Sequence, residues 1–179
     1  MIERDPVAAR ARVRQVEALV LEQQRELRAW VDAIRVPDAG PPVPAREFAR
    51  SLNDVCRRAE WQWRLHIARN LPAEGDLSRR LAQEIYRLVQ ESLANAGKHA
   101  RANAVRLGVH LHAETVSVEI EDDGLGFPFH GELDLVELAR RSVGPLSIRQ
   151  RVAALGGKLT GTSSWSGARL AIELPRVAS

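Results

Sequence analysis

Glu91, Asn95 and Lys98 stand four and then three residues apart in a segment rich in Leu, Ile and Ala. At ~100° per residue of an α-helix these three form a stripe along the border of the apolar face, neither in a core nor fully solvated. A carboxylate, an amide and an ammonium on such a border suit a Mg-triphosphate. The Asn carbonyl is a hard oxygen ligand for Mg²⁺, and the Lys is a point charge for phosphate. The Glu is an acceptor able to orient a nucleophile or a water. A salt-bridged, solvated face from Glu91 to Lys98 is the plainer reading of the same residues and stays open at this level. His99 falls near the core stripe on the same ruler, so packing and hydrogen bonding are expected of it.

A second group lies about 22 residues on: Asp122-Asp123-Gly124-Leu125-Gly126-Phe127. Asp122 continues the parity of Val116, Val118 and Ile120, which puts its side chain on the buried face of a strand, with Asp123 pointing the other way. A carboxylate there is costly to desolvate unless something donates to it. Gly124 and Gly126 let the backbone turn sharply and approach a ligand closely. An ordinary Asp-Gly turn closing a strand explains the same residues without a ligand. No Gly-rich phosphate loop ending in Lys-Ser or Lys-Thr occurs anywhere in the chain.

The elements that must hold these groups follow from periodicity. Residues 76 to 99 predict a helix, with Leu81, Ile85, Leu88, Val89, Ser92 and Ala96 on one face. Val105, Leu107, Val109 and Leu111 alternate as a strand, Val116, Val118 and Ile120 as another, and His112 to Thr115 suits the hairpin between them. Glu47 to Glu60 predicts a helix; Trp61, Trp63, Leu65 and Ile67 alternate as a strand. Residues 132 to 141 suit a short helix. Pro145 to Leu155 predicts a helix closed by Gly156-Gly157, and strands follow near 158 to 163 and 168 to 174. Hairpins on one side with helices between them indicate an α+β two-layer sandwich.

The N-terminal part is of another kind. Val13, Val20, Leu27 and Ile34 recur every seven residues, with Val16, Gln23 and Trp30 three positions after the first three. This a/d seam predicts one long helix over residues 7 to 35 that either packs against its own domain or, as a Pro-rich connector after it favours, joins a dimeric bundle. Pro-rich residues 36 to 46 read as a linker, giving a helical segment at 1–35 and a globular domain at 47–179.

Composition narrows the classes. The chain has 179 residues, 45% apolar and 27% charged, a globular balance. It has no run near the ~18 apolar residues of a membrane span and no apolar signal region. The net charge of +3 is small and interleaved, with no basic stripe carrying aromatics, which argues against nucleic acid. A lone cysteine, Cys56, leaves no internal disulfide and no zinc spacing, so a reducing cytoplasmic setting is expected.

The run Gln90-Glu91-Ser92-Leu93-Ala94-Asn95-Ala96-Gly97-Lys98-His99-Ala100 and the run from Asp122 to Phe127 resemble the N box and first glycine box of the GHKL ATPase superfamily. That superfamily holds histidine kinases, DNA gyrase, mismatch-repair ATPases and a heat-shock chaperone. The match is closest to histidine kinases of the nitrate-sensor type, whose boxes read like Gln-Glu-Ala-Leu-x-Asn-Ala-x-Lys-His-Ala and Asp-Asp-Gly-x-Gly-Phe. Gly144 to Gly157 resembles their second glycine box and the helix after it, and Ser166 to Pro175 resembles their last strand. The resemblance covers roughly residues 45 to 176; even residues 10 to 35 look like the second helix of the dimerisation bundle.

The resemblance implies ATP and Mg²⁺ as ligands, a response regulator as partner, and a homodimer through the N-terminal helix. Asp122 would accept from the adenine amine, with Gly124, Gly126 and Phe127 beside it. Asn95 would hold Mg²⁺, and Lys98, Gly144 and Ser147 would hold phosphates. Glu91 would polarise the attacking His. Two departures stand out. Ser142 and Ser147 occupy positions where Gly is common, with Pro145 after Gly144, so a helix starting at Pro145 would meet the phosphates; Pro128 to Val143 would be a short lid. The acceptor His followed by an acidic residue is also missing, since the five histidines precede Ile67, Ala100, Leu111, Ala113 and Gly131. The chain is therefore expected to be the C-terminal piece of a longer kinase or a partner acting in trans. An anti-sigma-type serine kinase and a non-catalytic nucleotide-binding or dimerisation module are the alternatives on the same fold.

Overall fold

The structure, a computed structural model, describes residues 40–176. The heptad helix and most of the linker expected before it lie outside the described residues. The compact unit begins at Gly40, earlier than the expected boundary at 47. Val43–Pro44 (β1) pairs antiparallel with Asp76–Leu77 (β3), so the end of the Pro-rich stretch is part of the fold.

Ala45–Trp63 (α1) and Arg79–Asn95 (α2) bury Phe48, Leu52, Val55, Ile85, Leu88 and Leu93 along their inner faces. Ser78 caps α2 by accepting from Leu81 N at 3.2 Å. They cover one face of a six-stranded mixed sheet. The sheet runs in the order His66–Asn70 (β2), Ala104–Leu111 (β4), Thr115–Asp122 (β5), Gly167–Pro175 (β8), Lys158–Ser164 (β7) and Gly131–Asp134 (β6). Only β2 and β4 are parallel, as a crossover through α2 allows. The alternation expected of β4 and β5 is observed: Val105, Leu107 and Val109 lie opposite Asp122, Ile120 and Val118 on the helix-covered side. Arg106, Glu119, Glu121, Arg169 and Glu173 line the other side, where Arg169 and Glu119 meet at 3.1 Å. The α+β two-layer sandwich is the architecture found.

Two local expectations are corrected. Trp61 and Trp63 belong to α1, which ends when Arg64 takes a left-handed conformation at φ 55°. The alternation of Trp61, Trp63, Leu65 and Ile67 thus spans a helix end and a strand start. The helix over 76–99 is instead the strand β3, the helix α2, and a single π turn at Ala96–Ala100. The segment expected as a short lid, Pro128 to Val143, contains the short helix expected near 132 to 141 and, in addition, a strand. The strand is β6, hydrogen-bonded along β7, and the helix is Leu135–Arg140 (α3). Leu133 and Leu138 are buried, and the buried Arg149 guanidinium donates to Leu138 O at 2.8 Å. Arg149 lies on Leu146–Ala154 (α4), whose end at the Gly156-Gly157 pair is as expected.

Candidate functional site

A cavity of about 350 Å³ opens where the two motif segments meet. Its floor is the end of the sheet, Ile120 and Asp122 of β5 with Ala168 and Leu170 of β8. One wall is α2 and the π turn, through Ser92, Asn95, Ala96, His99 and Ala100. The opposite rim is Gly126, Phe127 and Pro128, and the segment from Ser142 to Pro145 closes the remaining side. The interior is mostly apolar, with a few polar groups converging on it, the usual make-up of a small-molecule or cofactor site.

The two segments are latched to each other by backbone. Leu125 N donates to Ala100 O at 2.8 Å, and Asp123 N donates to Ala104 O at 3.2 Å. The Asp123 carboxylate accepts from Asn103 N at 2.7 Å and from Ala104 N at 2.9 Å. Gly124 lies against the same place: a Cβ there would stand 2.4 Å from Ala100 O. Gly126, at φ +74°, would drive a Cβ to 2.6 Å from Ser164 O. Ser163 completes the rim by accepting from Phe127 N at 2.8 Å. The glycines therefore shape the site by letting backbone meet backbone, and Gly124 itself is not in the cavity wall.

The two neighbouring aspartates have opposite electrostatics. Burial among apolar neighbours raises the Asp122 pKa, and the Gly124 N–H that its carboxylate accepts, at 2.9 Å, opposes this. Bonds from the Ala104 and Asn103 amides lower the Asp123 pKa. A depressed carboxylate contributes stability that is present above its unfolded pKa and lost as pH falls through the folded value. Asp123→Asn should therefore flatten the acid limb of the stability curve below about pH 3.9. At neutral pH it should cost about 1–2 kcal/mol for weakened bonds to a charged acceptor, as read by urea unfolding across pH.

The expected site residues divide. Asn95, Asp122, Gly126, Phe127 and Gly144 line the cavity. Glu91 and Ser147 do not line it; they meet beside it, where the Ser147 hydroxyl donates to the Glu91 carboxylate at the start of α4. Pro145 takes the N-cap position, and Gly144 turns the chain into it at φ +74°. Lys98 leaves the expected stripe: its Nζ lies 5.9 Å from the centroid of the Trp63 ring, and the residue is exposed. His99 takes the reverse course, out of the expected packing position and into the cavity wall. The cause is the π turn. Its i→i+5 bonding puts more residues in each turn, so side chains after Ala96 fall behind an α-helical ruler. Gly97 makes the turn possible by accepting Trp63 where a Cβ would stand 2.4 Å from its Cγ.

The donor set bears on which ligands fit. No cluster of three or more His, Cys, Asp or Glu able to hold a metal exists among the described residues. A lone amide oxygen from Asn95 suits a Mg²⁺ that takes its other ligands from phosphates and water.

Comparison with known proteins places the chain in a family. Residues 81–178, more than half of the chain, match the family model described as histidine kinase-, DNA gyrase B-, and HSP90-like ATPase. The signal transduction histidine-protein kinase/phosphatase UhpB of Salmonella typhimurium is 38% identical over 92 residues, covering 51% of this chain and 17% of that protein. The sensor histidine kinase ComP of Bacillus subtilis is 33% identical over 131 residues, 71% of this chain and 16% of its own length. The chain thus spans about a sixth of the length of these curated relatives. Among solved structures, the histidine kinase domain of the Erythrobacter litoralis EL346 blue-light activated histidine kinase superposes with a TM-score of 0.57 at 25% identity, covering 74% of this chain and 61% of that one. The ATP binding domain of PrrB from Mycobacterium tuberculosis shares the fold, with a TM-score of 0.54 at 24% identity over 76% of this chain and 97% of that one. The chain belongs to the histidine kinase-, DNA gyrase B- and HSP90-like ATPase family, and its described part is an ATP-binding catalytic domain of the sensor histidine kinase kind.

Proposed function

We propose that this chain binds Mg-ATP in the cavity between α2 and the end of β5 and directs its γ-phosphoryl group to a histidine outside the chain, for onward passage to a response regulator. The observation that carries this reading is the meeting of Asp122, on an apolar floor, with Asn95, on the facing helix, around one cavity. Asp122 accepts from the exocyclic amine of adenine. Asn95 offers its carbonyl to Mg²⁺, and the free amides at the start of α4 face phosphate oxygens. When bound, Mg²⁺ neutralises phosphate charge, which with positioning is most of what phosphoryl transfer needs. Glu91 polarises the incoming imidazole, its carboxylate steadied by Ser147. Lys98 reaches a phosphate only by leaving the face of Trp63. The wording of the boxes supports the nitrate-sensor type as the subfamily, and the heptad pattern of residues 7 to 35 supports a homodimer. Among the described residues no helix is long and apolar enough to cross a membrane; the lone cysteine supports a cytoplasmic setting.

Titration with a fluorescent ATP analogue, with and without Mg²⁺, tests the binding half. Asn95→Ala should remove the Mg²⁺-dependent gain in affinity and leave metal-free adenosine binding nearly intact; equal losses in both would mark Asn95 as purely structural. The transfer half is tested by adding an acceptor bundle carrying a His-acidic pair. Acid-labile phosphohistidine should appear on the bundle and on none of His66, His99, His110, His112 and His130. Phosphoserine on a supplied partner protein would select the serine-kinase alternative, and no nucleotide binding would sink both.

A further inference from the structure

Glu84 and Glu91 are two helical turns apart, so both carboxylates leave the same face of α2, about 10.5 Å apart along its axis. Ser147 and Arg151 stand one turn apart on α4, about 6 Å on the same measure. Ser147 donates to the Glu91 carboxylate, and Arg151 Nη1 donates to Glu84 Oε2 at 2.5 Å. A short hydroxyl at one point and a long guanidinium side chain at the other make up the difference in spacing. Both bonds therefore close in one register of α4 on α2. Arg87 Nη1 donates to the other Glu84 oxygen at 3.4 Å, so each arginine takes one oxygen of the carboxylate. Ile148 and Val152 of α4 are also buried, but apolar contact is non-directional and does not set a register. The Arg151 and Glu84 side chains are only 17% and 18% exposed. An ion pair so enclosed is a weak source of stability, and fixing a register is the best-attested use of one.

We infer that Glu84 and Arg151 are positioning residues for phosphoryl transfer: their ion pair sets the register of α4 on α2 and so holds Ser147 against the Glu91 carboxylate. The inference rests on the reading of Glu91 as the group that polarises the incoming imidazole. Neither Glu84 nor Arg151 lines the nucleotide cavity, so neither acts by touching a nucleotide there. Without the pair, α4 is free to pivot about its first turn, and the Ser147 hydroxyl no longer meets Glu91 at one fixed point. The carboxylate then spreads over several rotamers, and an incoming imidazole finds it aligned for only part of the time.

The test is Arg151→Gln, made in the parent and in the Glu91→Gln background, with single-turnover transfer from saturating Mg-ATP to a supplied acceptor bundle. Saturation keeps any change of affinity at the cavity rim out of the rate. In the parent background the substitution should slow transfer roughly tenfold to a hundredfold, the cost of a misplaced group near the reacting atoms. In the Glu91→Gln background it should cost less than about threefold, because the group it positions is already disabled. Glu84→Gln should match Arg151→Gln, and the two together should be no slower than either alone. Arg151→Lys, which keeps the charge, should recover most of the lost rate, and it carries the test if the glutamine variant fails to fold. Equal slowing in both backgrounds would make Arg151 a structural residue and overturn the inference. So would an unchanged rate in the parent background, and in either case the ATP and Glu91 readings stand. A Glu91→Gln variant that transfers at the parent rate would remove the Glu91 reading and this inference, and leave nucleotide binding untouched. Failure of the parent to transfer at all would bring down the proposed function and this inference together.

Discussion

Glu91→Gln should slow phosphoryl transfer to a supplied acceptor bundle by roughly 10²–10⁴-fold, the usual worth of a positioned general base. Nucleotide affinity should change by less than about threefold, because polarising the nucleophile matters in the transition state and hardly in the ground state. The structure gives the reason for the split. Glu91, on α2, lies outside the cavity wall, and the Ser147 hydroxyl at the start of α4 holds its carboxylate. The amide of the variant still accepts from Ser147 and keeps the shape of the junction, but loses the charge. Single-turnover transfer alongside equilibrium titration makes the measurement. If rate and affinity fell by the same factor, Glu91 would be a structural or metal-shell residue.

The second large effect belongs to Asp122→Asn. ATP and ADP should both bind more weakly, by about 1.5–3 kcal/mol for a lost charge-assisted hydrogen bond, which is roughly ten- to a hundredfold. The nucleotide-free protein should lose nothing. Burial raises the Asp122 pKa, so the native state keeps that proton to higher pH than the unfolded chain. The stability tied to this group is therefore greatest at low pH and falls as pH rises through the raised value. Removing the charge removes that penalty. Equal affinity of parent and variant would end the assignment of Asp122 to the base.

How much of this was legible in the sequence depended on whether a local ruler held. Asp122 was readable because β5 keeps strict alternation to its last residue, and two-residue parity survives twist. Asn95 was readable because α2 stays α-helical up to it. Lys98 and His99 were misplaced by the π turn, which depends on the fit of Trp63 against Gly97, a contact between residues 34 apart in the chain. No local pattern carries that information. The strand β6 was hidden for a similar reason. Gly131–Asp134 is short and polar and becomes a strand only because β7 offers it an edge. Ser92 was visible as a core-face residue, and only the structure shows its buried hydroxyl to be unpartnered. The run of α1 through Trp63 is written in an apolar period of three and four, from Phe48 through Leu52, Val55 and Ala59, that competes with the local alternation from Trp61 to Ile67.

The seat of Trp63 against Gly97 also has a mechanical meaning. The last turn of α1 presses on the very turn that carries His99, with no side chain on Gly97 to act as a cushion. Close-packed interiors deform little and pass displacement on. The indole thus seats the end of α1 directly on the backbone of the π turn, and a bulkier residue at 97 would unseat it.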